Sequence, residues 1–156
     1  MRATPTPPST APRAAAEALP VLFFDGDCGL CNRLVRLLLR FDRRERLRFA
    51  PLQGGAAQAY LRAHGLPTVD FDTLTFVPDW NRRERPEFLL RTAGVVAALR
   101  ATGNGVARVL AALLAIIPNA IRDAGYRLVA RMRYRIFGPW RPRPLARPEW
   151  AERFLD

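Results

Sequence analysis

The sequence predicts a single α/β domain, and three observations support this fold class. The chain has 156 residues, of which 49% are hydrophobic, and this is enough to bury one core. The apolar run Val21–Phe24 is typical of a strand buried on both faces of a parallel sheet. A segment with arginines at three- and four-residue spacing follows, which indicates an amphipathic helix. A buried strand leading into such a helix is the usual start of a β-α-β unit.

The first helix is predicted from Gly29 to about Arg43. Its apolar face would carry Cys31, Leu34, Val35, Leu38 and Phe41, opposite the arginines. This phase predicts that Cys31 points inward while Cys28 is exposed at the helix N-terminus.

The rest of the chain supplies three more strands and four more helices. Strands are predicted at residues 47–50, 73–77 and 87–90, and helices at about residues 55–64, 92–103, 105–117 and 119–136, with Thr92 as an N-cap. The order β-α-β-α-β-β-α followed by two helices predicts a thioredoxin-like core with a C-terminal helical extension. Its first two strands should pair in parallel through a right-handed crossover. The apolar residues 109–117 are expected to form a core helix under the sheet.

Composition divides the chain into three parts. Residues 1–18 are rich in Pro, Thr, Ala and Ser and are predicted to be a disordered tail. Residues 19–138 form the predicted domain with its C-terminal helices. Residues 139–156 are a Pro- and Arg-rich C-terminal tail, and the prolines in residues 138–144 exclude a regular helix or a central strand there.

The net charge of +11 comes entirely from arginine, because the chain contains no lysine. Such a charge is typical of a surface that binds nucleic acid or an anionic membrane. It can also result from a general preference for arginine over lysine in the sequence. No nucleic-acid module is recognisable, so we predict no specific nucleic-acid partner. The longest apolar run, residues 109–117, is shorter than a membrane span, and no secretory segment is evident. These observations favour a cytoplasmic protein without a membrane span.

The only two cysteines, Cys28 and Cys31, are spaced as C-x-x-C where the first strand meets the first helix. This placement is typical of thiol–disulfide chemistry, because a helix N-terminus stabilises a thiolate. We expect Cys28 to attack a disulfide of a protein or small molecule and Cys31 to resolve the mixed disulfide. Asp25 and Asp27 would oppose thiolate formation if charged, and either could transfer the proton. Asp25, at the strand end and expected to be the more buried of the two, is the better candidate.

Other chemistries fit these residues less well. Zinc usually takes four ligands and only His64 is available as an imidazole, while iron–sulfur clusters want about four cysteines. We therefore predict no metal and no cofactor.

The strand followed by Asp25-Gly-Asp27 also resembles the haloacid-dehalogenase phosphatases, which would make Asp25 a nucleophile and Asp27 a general acid/base on Mg²⁺. The lysine and the later acidic pair of that family are missing here. The other alternative to a redox enzyme is a thioredoxin-fold protein without catalytic activity, whose basic surface binds an acidic partner.

The whole pattern resembles the DCC family of predicted thiol–disulfide oxidoreductases. The resemblance lies in the block D-G-D-C-G-L-C-N at residues 25–32 and in residues 47–53, 126–131 and 133–138. It implies a thioredoxin-like fold with Cys28 and Cys31 as the redox pair. Two departures stand out: members often carry a further cysteine after the Phe-Gly near the C-terminus, and many have Asn where this chain has Met132.

The arginines of the last helix are expected to be mostly solvated, with Arg133-Tyr134, inside the family-like block, as the exception.

Overall fold

The computed structural model describes residues 17–71 and 73–156. In these residues four strands form one mixed sheet: β1 (Val21–Phe24), β2 (Arg48–Pro51), β3 (Thr75–Val77) and β4 (Leu89–Leu90). The strand order is β2-β1-β3-β4. Strands β1 and β2 are parallel, with Val21 opposite Arg48, which confirms the predicted pairing. Strands β3 and β4 complete the sheet in antiparallel pairing.

Five α-helices surround the sheet in the described part of the chain: α1 (Gly29–Phe41), α2 (Gly55–Ala63), α3 (Arg91–Ala101), α4 (Gly105–Ile116) and α5 (Asn119–Phe137). The mixed α/β architecture is compatible with a thioredoxin-like fold. The predicted cap Thr92 is wrong, because α3 already begins at Arg91 after the extended Leu90. The Thr92 hydroxyl instead donates a hydrogen bond of 2.7 Å to Asp123 on α5.

Strand β1 divides the core into two layers. Leu22 and Phe24 pack with α1 and α3 on one face of the sheet, while Val21 and Phe23 pack with α2 on the other. Side chains along a strand alternate between faces, so both layers meet on this one strand. All four residues are buried, as the apolar run predicted. The strand therefore holds the start of α1 in a rigid position.

Helix α4 differs from the expected core helix. Its large apolar side chains face outward, with Val109 59% exposed, Leu113 57% and Ile116 77%. Only the small residues Ala107 and Ala111 are buried on this helix. Helix α4 packs against α3 through this alanine face, which leaves the bulky stripe on the opposite side. The expectation of a core helix under the sheet is therefore wrong.

The C-terminal segment, residues 139–156, packs on the domain. Its short 3₁₀ helix, Pro148–Arg153, buries Trp150 and Arg153, and the Leu155 amide donates to the Phe49 carbonyl of β2 at 2.7 Å. Residues 138–144 form no α-helix or strand, as their prolines predicted. The predicted disordered tail, apart from residues 17 and 18, lies outside the described residues.

No single helix in the described residues is long and apolar enough to cross a membrane. Helices α4 and α5 taken together reach the length and apolar composition of a membrane span, but the chain bends by 108° between them.

Candidate redox site

The turn between β1 and α1 places the two cysteines on the first turn of the helix. Cys28 is the N-cap residue, with extended backbone at φ −89° and ψ 122°. Its Sγ accepts a hydrogen bond of 3.5 Å from the backbone N–H of Cys31. The Asn32 side chain donates to the carbonyls of Gly26 (2.8 Å) and Cys28 (3.0 Å) and so fixes the turn. Both cysteines are free thiols in this structure.

The chain that follows α5 covers the N-terminus of α1. The Gly29 amide donates to Gly138 O at 3.3 Å, and the Trp140 amide donates to Asp27 O at 2.7 Å. A Cβ on Gly29 would lie 2.8 Å from Phe137 O, so glycine permits this close approach. The covering segment is residues 137–140.

The covering segment buries Cys28, the thiol that was predicted to be exposed. Cys28 is 0% exposed, whereas Cys31 is only partly buried. The inward orientation predicted for Cys31 is confirmed, since Cys31 packs against the core. The prediction of an exposed Cys28 is wrong, because helix phase describes only the packing of α1 on its own core. It contains no information about a segment more than 100 residues later in the chain that crosses the helix end.

The surroundings of the two thiols separate their acidities. The hydrogen bond from the Cys31 side chain, the Cys31 backbone N–H and the charge of Arg133 lower the pKa of Cys28 to about 6, although burial opposes the shift. The same hydrogen bond, together with burial, raises the pKa of Cys31. These surroundings therefore favour a thiolate on Cys28 and a protonated thiol on Cys31.

Arg133 of α5 is the residue of the site that motif analysis did not assign. It is buried, at 6% exposure, and its guanidinium donates to Asp25 Oδ2 (3.0 Å), to the Phe71 carbonyl and to Cys31 Sγ (3.7 Å). The other arginines on the outer side of α5, Arg127, Arg131 and Arg135, are exposed, as expected. The signal for Arg133 was its place in the family-like block.

Asp25 is buried, as its position at the strand end predicted, and accepts several hydrogen bonds. Oδ2 accepts from Arg133 and from the Tyr134 hydroxyl, while Oδ1 accepts from Gln53 Nε2 (2.8 Å) and from the Asp27 amide (3.0 Å). Burial and the bond to Asp25 raise the pKa of Tyr134, so its hydroxyl keeps its proton. With both oxygens of Asp25 engaged, the phosphatase alternative, which needs a free carboxylate nucleophile, does not fit.

Asp27 lies on the surface, at the solvent edge of this network. Its side chain is exposed and accepts a bond of 3.3 Å from Gln53 Nε2. Gln53, from the loop after β2, also accepts from the Gly26 amide at 3.0 Å and so holds both aspartates in place. Among residues 17–71 and 73–156, no group of three or more histidine, cysteine or acidic side chains is arranged to hold a metal ion.

A mixed α/β fold with a C-x-x-C pair at a strand–helix junction defines a class of small thiol proteins. The sequence profile of the DCC1-like thiol-disulfide oxidoreductases matches residues 22–139. The chain belongs to this family.

Two relatives support the assignment. The "Uncharacterized protein YuxK" of Bacillus subtilis is 32% identical over 142 residues, which cover 90% of this chain and 98% of the relative. A chloroplastic "DCC family protein" of Arabidopsis thaliana is 29% identical over 119 residues, covering 76% of this chain and 65% of the relative. No solved structure matches the chain.

Proposed function

We propose that this protein catalyses thiol–disulfide exchange through Cys28 and Cys31. The observation that carries the proposal is the geometry of the pair, in which Cys28 Sγ at the helix N-terminus accepts a hydrogen bond of 3.5 Å from the Cys31 backbone N–H. The hydrogen bonds from Cys31 and the charge of Arg133 lower the pKa of the Cys28 thiol to about 6. A thiolate is the nucleophile in disulfide exchange, and a second thiol is needed to release the product. The family name supports the same class of reaction.

The proposed reaction takes two steps. The Cys28 thiolate attacks one sulfur of a protein or small-molecule disulfide, which forms a mixed disulfide and releases the first substrate thiolate. Cys31 then loses its proton and attacks Cys28 Sγ, which forms the Cys28–Cys31 disulfide and releases the second thiolate. The substrate gains two electrons from the pair and the proton of Cys31, and the second proton that it needs to become a dithiol comes from solvent. Because Cys28 is fully buried, the first step requires residues 137–140 to move or the substrate to approach from the side of Cys31.

Asp25 has a supporting role in this scheme. It accepts hydrogen bonds from Arg133 and Tyr134, and Arg133 in turn contacts Cys31 Sγ at 3.7 Å. We propose that Asp25 assists the loss of the Cys31 proton by holding the Arg133 charge beside Cys31 Sγ, where it stabilises the thiolate as the proton passes to the departing substrate thiolate, while Asp27 stays at the solvent edge. A cytoplasmic location stays a prediction from the sequence.

The test counts free thiols by alkylation and mass measurement, before and after treatment with oxidised glutathione. Wild type should change from two alkylated thiols to none and return to two with dithiothreitol. The single variants Cys28→Ser and Cys31→Ser cannot form the internal disulfide, and each is the control for the other because the chain has only two cysteines. Cys31→Ser should retain a mixed disulfide on Cys28. Failure of wild type to form a reversible internal disulfide would overturn the proposal.

A second candidate function is the binding of an acidic partner without catalysis. A cleft of about 510 Å³ beside the covering segment is lined by Trp140 and by the arginines Arg33, Arg36, Arg40, Arg141 and Arg143. Binding of poly-glutamate that weakens steeply with salt and persists in the Cys28→Ser, Cys31→Ser double variant would support this function. Absence of such binding, with reversible disulfide formation intact, would leave the redox function alone.

A further inference from the structure

Helix α4 presents a stripe of large apolar side chains to solvent. The exposed members of the stripe are Val106, Val109, Leu110, Leu113 and Ile116. They recur at three- and four-residue intervals, which places them on one side of the helix, away from the buried alanine face that packs on α3. A contiguous apolar stripe that is left exposed usually marks contact with a partner or a membrane.

Helix α5 carries a second exposed apolar stripe. Ile121, Leu128 and Ile136 are 65%, 59% and 59% exposed, and Met132 lies between the last two at helical spacing. The cleft between the two helices is lined by Ile117, at the end of α4, and by Ile121, so the stripes meet where the chain turns from α4 to α5. The two stripes together are called the α4–α5 apolar face.

The charge around this face is almost entirely positive. Residues 101–148 contain nine arginines and one acidic residue, Asp123, which accepts a hydrogen bond from the Thr92 hydroxyl. Three of these arginines, Arg127, Arg131 and Arg135, are exposed and recur every four residues. Each directly precedes a residue of the α5 stripe, so they form a row alongside it. Apolar side chains bordered by arginines are typical of helices that lie in the interface of an anionic membrane.

The charge also distinguishes a bilayer from other occupants of the face. In a symmetric dimer the same surface meets itself, so a second copy would bring like charges together. Residues 1–16 contain no large apolar side chain except Met1, and they add the positive charges of Arg2 and Arg13. An anionic bilayer offers both an apolar interior and negative phosphates over a wide area, which matches the face in both respects.

We propose that the α4–α5 apolar face binds the surface of a membrane that contains anionic lipids. The apolar side chains enter the boundary between head groups and acyl chains, and the arginine row of α5 contacts lipid phosphates. The binding does not depend on the thiols, so the Cys28→Ser, Cys31→Ser double variant should bind membranes as wild type does. Together with the proposed function, it would locate thiol–disulfide exchange at a membrane surface.

The test measures co-sedimentation of the full-length protein with lipid vesicles. One set contains equal parts of phosphatidylcholine and phosphatidylglycerol, and the other contains phosphatidylcholine alone. Each arginine near an anionic surface adds about fivefold in affinity, so the three of the row should make binding to the anionic vesicles roughly a hundredfold tighter. Salt should weaken this binding. Equal binding to both sets, or binding to neither, would overturn the proposal, and this comparison needs no variant to fold.

One substitution tests the apolar contact. Ile116→Gln changes a side chain that is 77% exposed, so the fold should be kept, and binding to the anionic vesicles should weaken about tenfold because apolar burial is lost. Val69→Gln is the matched control, since Val69 is 68% exposed but lies in the loop before β3, outside the face. Equal binding by the two variants would overturn the apolar contact. Dimerisation that Ile116→Gln abolishes, without vesicle binding by wild type, would assign the face to a second copy instead.

A pair of triple variants tests where the charge acts. The row is removed by Arg127→Gln, Arg131→Gln and Arg135→Gln, and binding to the anionic vesicles should weaken roughly a hundredfold. The control removes the same charge from α2 and from the loop that contacts α2 through His64, by Arg62→Gln, Arg83→Gln and Arg85→Gln. The control should bind much like wild type. Equal losses in the two triple variants would mean that net charge alone attracts the lipid, and would overturn the assignment to this face.

Discussion

The two ends of helix α1 each hold a buried aspartate–arginine pair, and the two pairs differ in how completely they are bonded. Asp25, before the helix, pairs with Arg133 of α5, and Asp42, the C-cap residue, pairs with Arg153 of the C-terminal segment. In both pairs an arginine from the C-terminal third fixes one end of the helix. At 6% and 2% exposure, both arginines are buried.

The Asp42–Arg153 pair satisfies every nitrogen of its guanidinium. Arg153 donates to Asp42 and to the Leu47 carbonyl, and Asp42 also accepts from the amides of Arg46 (3.2 Å) and Leu47 (2.8 Å). The Asp25–Arg133 pair leaves Arg133 Nε without an acceptor in the described residues and places the guanidinium on Cys31 Sγ. The fully hydrogen-bonded pair of Asp42 and Arg153 holds the C-terminal segment on α1. The pair of Asp25 and Arg133 also contacts the sulfur of Cys31, so it can influence the acidity of the thiols.

The largest expected effect is on the structural pair. Arg153→Met leaves Asp42 buried without its counter-charge and should lower the free energy of unfolding by about 3–5 kcal/mol. The measurement is urea denaturation of the reduced protein. The pH profile of Cys28 alkylation should not change, because Arg153 lies at the other end of α1 from the thiols. A loss below about 1 kcal/mol would contradict the idea that this pair fastens the C-terminal segment.

The same substitution at the other pair should affect both stability and thiol chemistry. Arg133→Met should cost about 2–4 kcal/mol, less than Arg153→Met because Arg133 has fewer bonds to lose. In wild type, the alkylation rate of Cys28 should fall to half near pH 6, because protonation of the thiolate removes the nucleophile.

Loss of the Arg133 charge raises the pKa of Cys28, so the profile of Arg133→Met should move to higher pH. At pH 6 its alkylation should be roughly three- to tenfold slower than that of wild type. If both methionine variants kept the wild-type profile, the distinction between the two pairs would be lost.

An intermediate effect is expected where the covering segment meets α1. Gly29→Ala places a Cβ 2.8 Å from Phe137 O, so residues 137–140 must shift, at a cost of about 1–3 kcal/mol. Because that segment buries Cys28, alkylation of Cys28 should become faster. Gly55→Ala is the control: it is the first residue of α2, and its Cβ would lie 3.8 Å from Asp156 O, an ordinary contact. Slower or unchanged alkylation in Gly29→Ala would show that the segment does not limit access.

The smallest effect concerns one hydroxyl of the site. Tyr134→Phe removes a hydrogen bond to the buried Asp25 and should cost about 1–3 kcal/mol, at the lower end because Asp25 keeps its other donors. Tyr60→Phe is the matched control, since the buried Tyr60 hydroxyl has no partner in the described residues and its loss should not destabilise the protein. Equal losses in the two variants, measured by thermal unfolding, would mean that the bond to Asp25 contributes nothing specific.

Residues close in sequence made most of the fold predictable. The apolar run of β1, the phase of α1 and the proline and glycine boundaries gave the order of strands and helices, with ends within a few residues. The errors arose where distant segments meet. Periodicity identifies the apolar stripe of α4 but not which side packs on α3. The arginines of α5 do not share one face, so their spacing alone does not show that Arg133 is the buried one.

The sequence by itself determined the C-x-x-C pair, its place at the start of a helix and the family to which the chain belongs. Only the tertiary structure decided that Cys28 is the buried thiol and that Arg133 and Tyr134 reach Asp25. The physical reason is that acidity and access depend on charges and atoms within a few ångströms of the sulfur. Here those atoms come from α5 and from the segment after it, about 100 residues further along the chain.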